Sequence, residues 1–167
     1  MEHKIHIITH GCSNNQAESQ IMAATLDKSG FVLVDDKESA DIIIVNTCSV
    51  KGKTESKTLH EITELQKQYP DKKLIIAGCM PEAELTKVRR FAPRSSIVST
   101  NHISKIAAAA SSGEQVIFVG KHNEEKVDVP KIRSNPVVDI VPIANGCLSH
   151  CTFCSTKLAK GELFSFK

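Results

Sequence analysis

The sequence predicts an α/β fold in which a mainly parallel sheet is flanked by helices. Strand-like and helix-like segments alternate over the first two-thirds of the 167 residues, and this alternation is typical of parallel sheets. The run Asp41–Asn46 is rich in β-branched residues, which indicates a strand buried on both faces. Gln16–Lys28 instead carries apolar residues at helical spacing, and Gly30 stands where a helix end favours glycine.

The other predicted elements continue this alternation. The predicted strands are Lys4–Thr9, Asp41–Asn46, Lys73–Ala77, Ser95–Val98 and Gln115–Val119. The predicted helices are Gln16–Lys28, Thr54–Gln68, Pro81–Arg90 and His102–Ala110. Together they define an N-terminal domain over residues 1–120.

Residues 121–136 lose the periodic pattern and are mostly polar, which predicts a linker. The chain then returns to strand composition at Val137–Ala144 and leads into a group of cysteines. The segment 137–167 is too short to bury a core of its own. We therefore expect it to be poorly ordered, or packed loosely on the first domain.

The composition is ordinary for a soluble globular protein, with 41% hydrophobic and 24% charged residues. A net charge of +2 is too small to indicate a nucleic-acid surface by itself. Because no apolar run approaches the roughly 18 residues that cross a bilayer, and no secretory signal is visible, we expect a cytoplasmic protein without a membrane partner. In that reducing compartment the six cysteines are expected to be ligands or reactive thiols.

Three of the cysteines share one position relative to the predicted strands. Cys12, Cys48 and Cys79 each follow a strand, although they are far apart in sequence. Because the carboxyl ends of parallel strands meet at one edge of a sheet, the three thiols are predicted to converge there. A free cysteine is often simply a small buried apolar residue, but three at the same position favour a ligand set.

The remaining three cysteines lie in one short loop, Cys147-x3-Cys151-x2-Cys154. This spacing allows three thiolates to hold one face of an iron–sulfur cluster and to leave one iron open. A zinc site is the alternative, but structural zinc takes a closed set of four ligands. His150 directly precedes Cys151 and would have to fold back onto the metal, so we leave it out of the site.

Further motifs surround both sets of cysteines. They read Gly11-Cys12-Ser13-x-Asn15-x-x-Glu18-Ser19, Asn46-Thr47-Cys48-x-Val50 and Gly78-Cys79-Met80-Pro81. The Cys147–Cys154 loop, with Phe153 before its last cysteine, resembles the radical S-adenosylmethionine superfamily, and the upstream motifs resemble the N-terminal domain of its methylthiotransferases. The segments that most resemble the archaeal and eukaryotic branch acting on threonylcarbamoyladenosine in tRNA are Val50-Lys51, Cys79-Met80-Pro81, Asn145-Gly146-Cys147-Leu148 and Thr156-Lys157. Glu82 and Lys160 depart from the family pattern, which often has Gln and usually has Arg there.

The resemblance implies a fragment of an enzyme that adds a methylthio group to C2 of threonylcarbamoyladenosine in tRNA. It implies two [4Fe–4S] clusters, one on Cys12, Cys48 and Cys79 that carries the sulfur, and one in the 147–154 loop that binds and cleaves S-adenosylmethionine. It also implies that residues 137–167 are the first strand and cluster loop of a truncated radical S-adenosylmethionine barrel, inactive alone, with tRNA and an electron donor as partners. One alternative is a methylthiotransferase that acts on isopentenyladenosine in tRNA or on an aspartate of a ribosomal protein. The other is a non-catalytic iron–sulfur or zinc-binding module.

Several polar and aromatic residues near the cysteines are candidates for supporting roles. Asn15, Asn46 and Thr47, with Glu18, are positioned to orient the loops or to donate to cluster sulfides. Helix capping is the alternative for Asn15 and the favoured role of Asn14. Phe153 is expected near the adenine of S-adenosylmethionine, or as a cap on the apolar part of its loop. The lysines Lys51, Lys53 and Lys57 are candidates for RNA phosphate contact, although a charge run is usually just a solvated face.

Overall fold

The computed structural model of the protein describes residues 3–49 and 52–166, without the side chains of residues 52–54. Six strands form one sheet in the order β2-β1-β3-β4-β5-β6, and every pairing in it is parallel. These strands are β1 (Lys4–Thr9), β2 (Val32–Leu33), β3 (Ile42–Thr47), β4 (Lys73–Gly78), β5 (Ser96–Ser99) and β6 (Ile117–Phe118). The predicted α/β fold with a mainly parallel sheet is confirmed.

Helices cover both faces of this sheet. They are α1 (Ser13–Lys28), α2 (Gly52–Gln68), α3 (Cys79–Ala83), α4 (Leu85–Phe91), α5 (Ile106–Ser111), which follows a 3-10 turn at Ile103–Lys105, and α6 (Ser155–Lys160). The central strand β3 shows why: Ile42 and Ile44 enter the core shared with α1 and α5, whereas Ile43 and Val45 enter the core shared with α2 and α4. Side chains alternate between the faces of a strand, so β3 is apolar at every position from Ile42 to Val45.

The structure differs from the predicted elements in several places, and helix α6 is an addition that was not predicted. The predicted helix Pro81–Arg90 is two helices, because Glu84 takes a non-helical backbone conformation (φ −141°, ψ 47°) between α3 and α4. Strand β2 was not predicted, since a two-residue edge strand carries too little pattern. The strand predicted at Val137–Ala144 is reduced to β7 (Ala144–Asn145), which pairs antiparallel with β8 (Phe164–Ser165).

The residues predicted as a linker are fastened to the first domain by specific contacts. The carboxylate of Glu124 accepts hydrogen bonds from the backbone N–H groups of Ile103 and Ser104, at 2.7 and 2.9 Å. The backbone N–H of Ile132 donates to the carbonyl of Gln20 in α1, and Val129 packs against the core. The polar, aperiodic sequence of this segment therefore forms an ordered strap across α1 and the 3-10 turn that precedes α5.

The C-terminal segment is only partly as expected. Val137 and Ile143 are exposed (88% and 75%), in keeping with loose packing. Helix α6, in contrast, packs on α3, and its Ala159 is fully buried. The carbonyl of Ala159 accepts a buried hydrogen bond from the Asn101 side chain at 3.2 Å, so the expectation of loose packing does not hold for α6.

Across residues 3–49 and 52–166, none of the helices combines the length and the apolar character that a membrane span requires.

Candidate functional site

The first three cysteines lie at the carboxyl edge of the sheet, as predicted. Cys12 follows the end of β1 by three residues, and Cys48 and Cys79 directly follow β3 and β4. These three strands are neighbours, and the strand order reverses between β1 and β3. In sheets of this kind ligands bind in the crevice at such a reversal point, beyond the carboxyl ends of the strands. The topology therefore brings the three loops to the position where a bound group is expected.

The loops approach one another closely at this edge. A Cβ atom placed on Gly11 would lie 2.6 Å from the Cβ of Cys48, so the loop before Cys12 rests on Cys48. Cys12 and Cys79 line one cavity of about 340 Å³. In the part of the chain that the structure describes, no three His, Cys, Asp or Glu side chains are close enough to share one metal ion. The shared edge is established, and metal binding by the three thiols stays a prediction.

A buried amide network connects the loops that carry these cysteines. Asn15, Asn46 and Thr47 are all fully buried. The Asn15 side-chain amide donates to the carbonyl of Thr47 at 3.0 Å and to Asn46 Oδ1 at 3.2 Å. The Asn46 amide donates to the carbonyl of Asn15 at 2.8 Å and to Ser19 Oγ at 2.9 Å, so the start of α1 is held against the end of β3.

Asn15 also caps helix α1, whereas Asn14 does not. The helix begins at Ser13 with Cys12 as its N-cap residue, and Asn15 Oδ1 accepts the Cys12 backbone N–H at 3.4 Å. The N-cap role expected of Asn14 is therefore wrong, because the helix starts three residues before the predicted Gln16. Asn14 instead donates to Glu18 Oε1 at 2.9 Å. Asn15 combines both roles considered for it, capping α1 and orienting the loop that follows β3.

Gly78 is the last residue of β4 and directly precedes Cys79. The structure leaves no room for a side chain at this position. Its φ of +95° lies in the region that favours glycine. A Cβ at this position would lie 2.3 Å from Asn46 Oδ1 and 2.4 Å from the Thr47 carbonyl oxygen. The strand end that carries Cys79 therefore packs directly on the Asn46 side chain.

The Gly78→Ala substitution should lower the free energy of unfolding of the apo chain by about 3 kcal/mol, through backbone strain and overpacking. Gly30→Ala is the matched control, because Gly30 has a φ of +85° but nothing within 4 Å of its added Cβ. It carries the backbone strain alone, about 1–2 kcal/mol. Urea denaturation measures both. Equal losses for the two variants would contradict the close packing at Gly78.

Burial and a nearby positive charge shift the pKa of the Cys79 thiol in opposite directions. Burial raises the pKa of the Cys79 thiol to about 12, although the nearby Lys160 ammonium acts in the opposite direction. The Cys79 thiol is thus protonated at neutral pH, and binding of a metal or cluster would release its proton because the ligand is the thiolate.

A buried ion network lies beside this cavity. Glu18 Oε1 accepts from Lys126 Nζ at 2.6 Å, from Lys160 Nζ at 3.1 Å and from Thr100 Oγ1 at 2.6 Å. The side chains of Glu18, Lys126 and Lys160 are 0%, 2% and 11% exposed. Burial alone would raise the pKa of Glu18, but the two lysine charges outweigh it and lower the pKa to about 2. Lys160 lines the same cavity as Cys12 and Cys79.

Sequence reasoning missed this network. Lys126 was placed in a polar linker, and Lys160 was noted only as a departure from a family pattern. The two lysines are 108 and 142 residues from Glu18 along the chain, so no local spacing connects them. The one available signal was that Glu18 falls on the face of α1 nearest the cysteine loops.

The second cysteine set lies on a loop closed by backbone contacts. The Cys154 N–H donates to the Cys151 carbonyl at 3.2 Å, and the Cys147 N–H donates to the Gly161 carbonyl at 3.2 Å. Lys157 Nζ donates to the Cys147 carbonyl at 2.6 Å. The Lys157 backbone N–H, in the first turn of α6, lowers the pKa of the Cys154 thiol, as expected for a cysteine at a helix N-terminus.

The other predicted residues stand apart from these contacts. Phe153 is 89% exposed, so its expected position near an adenine stays a prediction. His150 is exposed and faces Glu162 at 3.8 Å, and its exclusion from the site stays a prediction. Lys57 is exposed. Val50, Lys51 and the side chain of Lys53 lie outside the described residues, and RNA contact by the lysines stays a prediction.

The first site fits a thiolate-bound iron–sulfur cluster in three respects. Its donors are thiols at one sheet edge, two of them facing a common cavity. Buried side-chain amides hold the loops together, and none of the described residues that line the cavity has a side-chain carboxylate. A buried lysine supplies positive charge there, which suits an anionic group. The second site offers three thiols in one loop with a partly exposed surface, which suits a cluster that takes an external ligand.

The fold and these sites define an α/β protein with two cysteine triplets, one at a sheet edge and one in a loop. Residues 4–100 match the model of a family described as "Uncharacterized protein family UPF0004". Since the match covers more than half of the 167 residues, the chain belongs to this family.

The chain is also similar to curated proteins whose names agree with the resemblance seen in the sequence. It is 39% identical over 98% of its length to the "Probable threonylcarbamoyladenosine tRNA methylthiotransferase" of Methanothermobacter thermautotrophicus, covering 39% of that protein. It is 33% and 32% identical to the threonylcarbamoyladenosine tRNA methylthiotransferases of Danio rerio and Homo sapiens, covering 31% and 29% of them. The chain thus spans about a third of the length of these relatives, which are archaeal and eukaryotic as expected.

Proposed function

We propose that the chain supplies the cluster-binding part of a tRNA methylthiotransferase that acts on threonylcarbamoyladenosine. The observation that carries the proposal is the meeting of three cysteine loops at the reversal point of the sheet, with a second cysteine triplet in a loop tied to the same domain through α6. The names of the relatives support the substrate. tRNA and an electron donor are the proposed partners, and the cytoplasm is the proposed location.

The two cysteine sets take different roles in this proposal. Cys12, Cys48 and Cys79 would hold the auxiliary [4Fe–4S] cluster, and Cys147, Cys151 and Cys154 would hold a second one with an iron open to S-adenosylmethionine. The bound groups supply the radical and sulfur-transfer chemistry. The protein fixes the thiols, keeps water away from Cys48 and Cys79, which are 4% and 2% exposed, and aligns α6 with the sheet edge. Phe153 would contact the adenosine of S-adenosylmethionine. We also propose three structural units, 1–120, 121–136 and 137–167.

A chimaera tests the proposal. The chain replaces the matching part of the Methanothermobacter thermautotrophicus relative, and the purified protein is reconstituted anaerobically with iron and sulfide. About eight irons per chain are expected, because each of two clusters holds four. The Cys147→Ala variant should retain about four, from the auxiliary cluster. Loss of all iron in this variant would contradict two independent sites.

The loaded chimaera is then given reductant, S-adenosylmethionine, a sulfur source and tRNA. Mass spectrometry of the digested nucleosides should show a methylthio group on threonylcarbamoyladenosine, and none with Cys12→Ala. tRNA that carries isopentenyladenosine is the substrate control. A fully loaded chimaera that leaves threonylcarbamoyladenosine unmodified, or modifies only isopentenyladenosine, would overturn the proposed substrate. Zinc in place of iron would overturn the cluster assignment.

A further inference from the structure

The cavity beside the first cysteine set has an excess of buried positive charge on one wall. Lys126 and Lys160 both point at Glu18, the acidic side chain that they contact in the described part of the chain. One carboxylate therefore faces two ammonium groups, all nearly excluded from water. A buried charge without a partner is costly, so this wall favours an anionic occupant of the cavity.

Of the two lysines, Lys160 is the one that reaches the cavity. It lines the cavity together with Cys12 and Cys79, whereas Lys126 does not. Besides Glu18, Lys126 contacts Thr100, with its Nζ donating to the Thr100 carbonyl at 2.7 Å. Glu18 and Thr100 Oγ1 hold Lys160 Nζ at 3.1 and 3.2 Å, so its position is fixed by groups that are themselves buried.

We propose that Lys160 is a positioning residue for the auxiliary site: held by Glu18, its ammonium group balances the negative charge of the group on Cys12, Cys48 and Cys79. This inference rests on the proposed function. Three thiolates outweigh the positive charge of a [4Fe–4S] core, and net charge is among the factors that set the reduction potential of such clusters. Because reduction adds a further negative charge, Lys160 stabilises the reduced form and raises the potential.

The contact between Glu18 and Lys160 also connects two parts of the fold. Lys160 is the last residue of α6, which follows the Cys147–Cys154 loop directly. Glu18 is in α1, which follows Cys12 directly. The Glu18–Lys160 ion pair therefore connects the two cysteine sets. A negatively charged group on Cys12, Cys48 and Cys79 would balance the remaining positive charge of this network.

The test measures the midpoint potential of the auxiliary cluster in the 167-residue chain. The three loop cysteines are replaced (C147A, C151A and C154A) so that one cluster remains, and its reduction is followed by electron paramagnetic resonance during a redox titration. The Lys160→Met variant should need a lower potential, with about a tenfold change in the ratio of reduced to oxidised cluster at a fixed potential, equivalent to about 59 mV for one electron. Lys160→Arg keeps the charge and should stay near the parent value.

A variant that shifts the midpoint potential in the opposite direction separates the effect of charge from that of structural damage. Glu18→Gln removes a negative charge beside the same lysine and should raise the potential, whereas a damaged site would shift both variants alike. Lys131→Met is the matched control, because Lys131 is a strap lysine that pairs with Asp139 at 2.7 Å instead of Glu18. It should leave the potential unchanged.

The possible results are distinct. A Lys160→Met potential equal to that of Lys131→Met, or a fall in potential with Glu18→Gln, would overturn the role of Lys160. If Lys160→Met takes up no iron, the rise expected with Glu18→Gln and the parent-like value expected with Lys160→Arg decide the matter. Absence of iron from the parent chain itself would instead refute the proposed function.

Discussion

The Glu18→Gln substitution should lower the free energy of unfolding of the apo chain by about 3–5 kcal/mol at neutral pH. The variant keeps the shape of the side chain but leaves Lys126 and Lys160 buried without a countercharge. Both lysines are nearly excluded from water, at 2% and 11% exposure. Removing one partner of a buried ion pair is strongly destabilising, because it leaves the other charge buried without compensation.

Urea denaturation of the wild-type chain and of Glu18→Gln measures this loss. Glu64→Gln is the control, because Glu64 pairs with Lys67 on the exposed surface of α2 at 2.8 Å, with both side chains at least half exposed. Surface pairs contribute little, so Glu64→Gln should change the midpoint only slightly. A Glu18→Gln midpoint that matches that of Glu64→Gln would contradict a network of buried charges.

The same carboxylate should give the wild-type chain an acid dependence that Glu18→Gln lacks. The pKa of Glu18 in the folded chain is about 2, well below the ordinary glutamate value of 4.5. Its contribution to stability is therefore fully present above about pH 4.5 and is lost as the pH falls from there towards 2. The size is on the order of 3 kcal/mol. Stability measured at neutral pH and at stepwise lower pH should converge for the two proteins, and parallel curves would be inconsistent with a lowered pKa.

The fold was largely predictable because burial leaves a pattern in sequence. Strand β3 is apolar at every position from Ile42 to Val45, since both faces of the sheet are covered. The carboxyl-edge position of Cys12, Cys48 and Cys79 could be predicted because each of them follows a predicted strand of a parallel sheet. Strand β2 and the break at Glu84 left no comparable pattern, because each depends on a pairing or backbone turn of one or two residues.

The supporting groups of the site were predictable only in part. Asn15, Asn46 and Thr47 could be selected because they neighbour the cysteines in sequence. The roles of Lys126 and Lys160 could not, since a lysine in a polar strap has the same local sequence whether it faces solvent or a buried carboxylate. The docking of α6 was missed for the same reason: Ala159 and Lys160 bury against residues more than fifty positions away.

The Asn46→Ala substitution should remove the auxiliary cluster and spare the other. Asn46 is fully buried, and its side chain contacts the start of α1 and lies against Gly78 at the end of β4. It bonds Asn15, three residues after Cys12, and it lies at the end of the strand that leads to Cys48. Its Oδ1 also occupies the space in which a Gly78 side chain would stand. Alanine at this position removes the contacts of the Asn46 side chain with α1 and with Gly78, and leaves the Asn15–Thr47 hydrogen bond as the remaining contact of this network.

The expected loss in the free energy of unfolding is about 2–3 kcal/mol, because buried partners such as the Asn15 carbonyl lose their hydrogen bonds. That loss alone does not prove a role in the site, so the matched control is Asn101→Ala. Asn101 is also buried (2% exposed), and its amide donates to the carbonyls of Gly120 and Ala159, which lie outside the loops of Cys12, Cys48 and Cys79. The two variants should lose similar stability, whereas their iron content should differ.

Anaerobic reconstitution followed by iron analysis makes the comparison. Asn46→Ala should fall from about eight to about four irons per chain, and Asn101→Ala should keep about eight, since only the first change releases auxiliary ligands. Adding Cys147→Ala to Asn46→Ala should remove the remaining iron and so identify which cluster was spared. Asn46→Ala with a full complement of iron would show that the thiols at the sheet edge find the cluster without the amide network. Equal losses of iron in Asn46→Ala and Asn101→Ala would assign the effect to general destabilisation, because both side chains are buried to the same degree and only one of them contacts the cysteine loops.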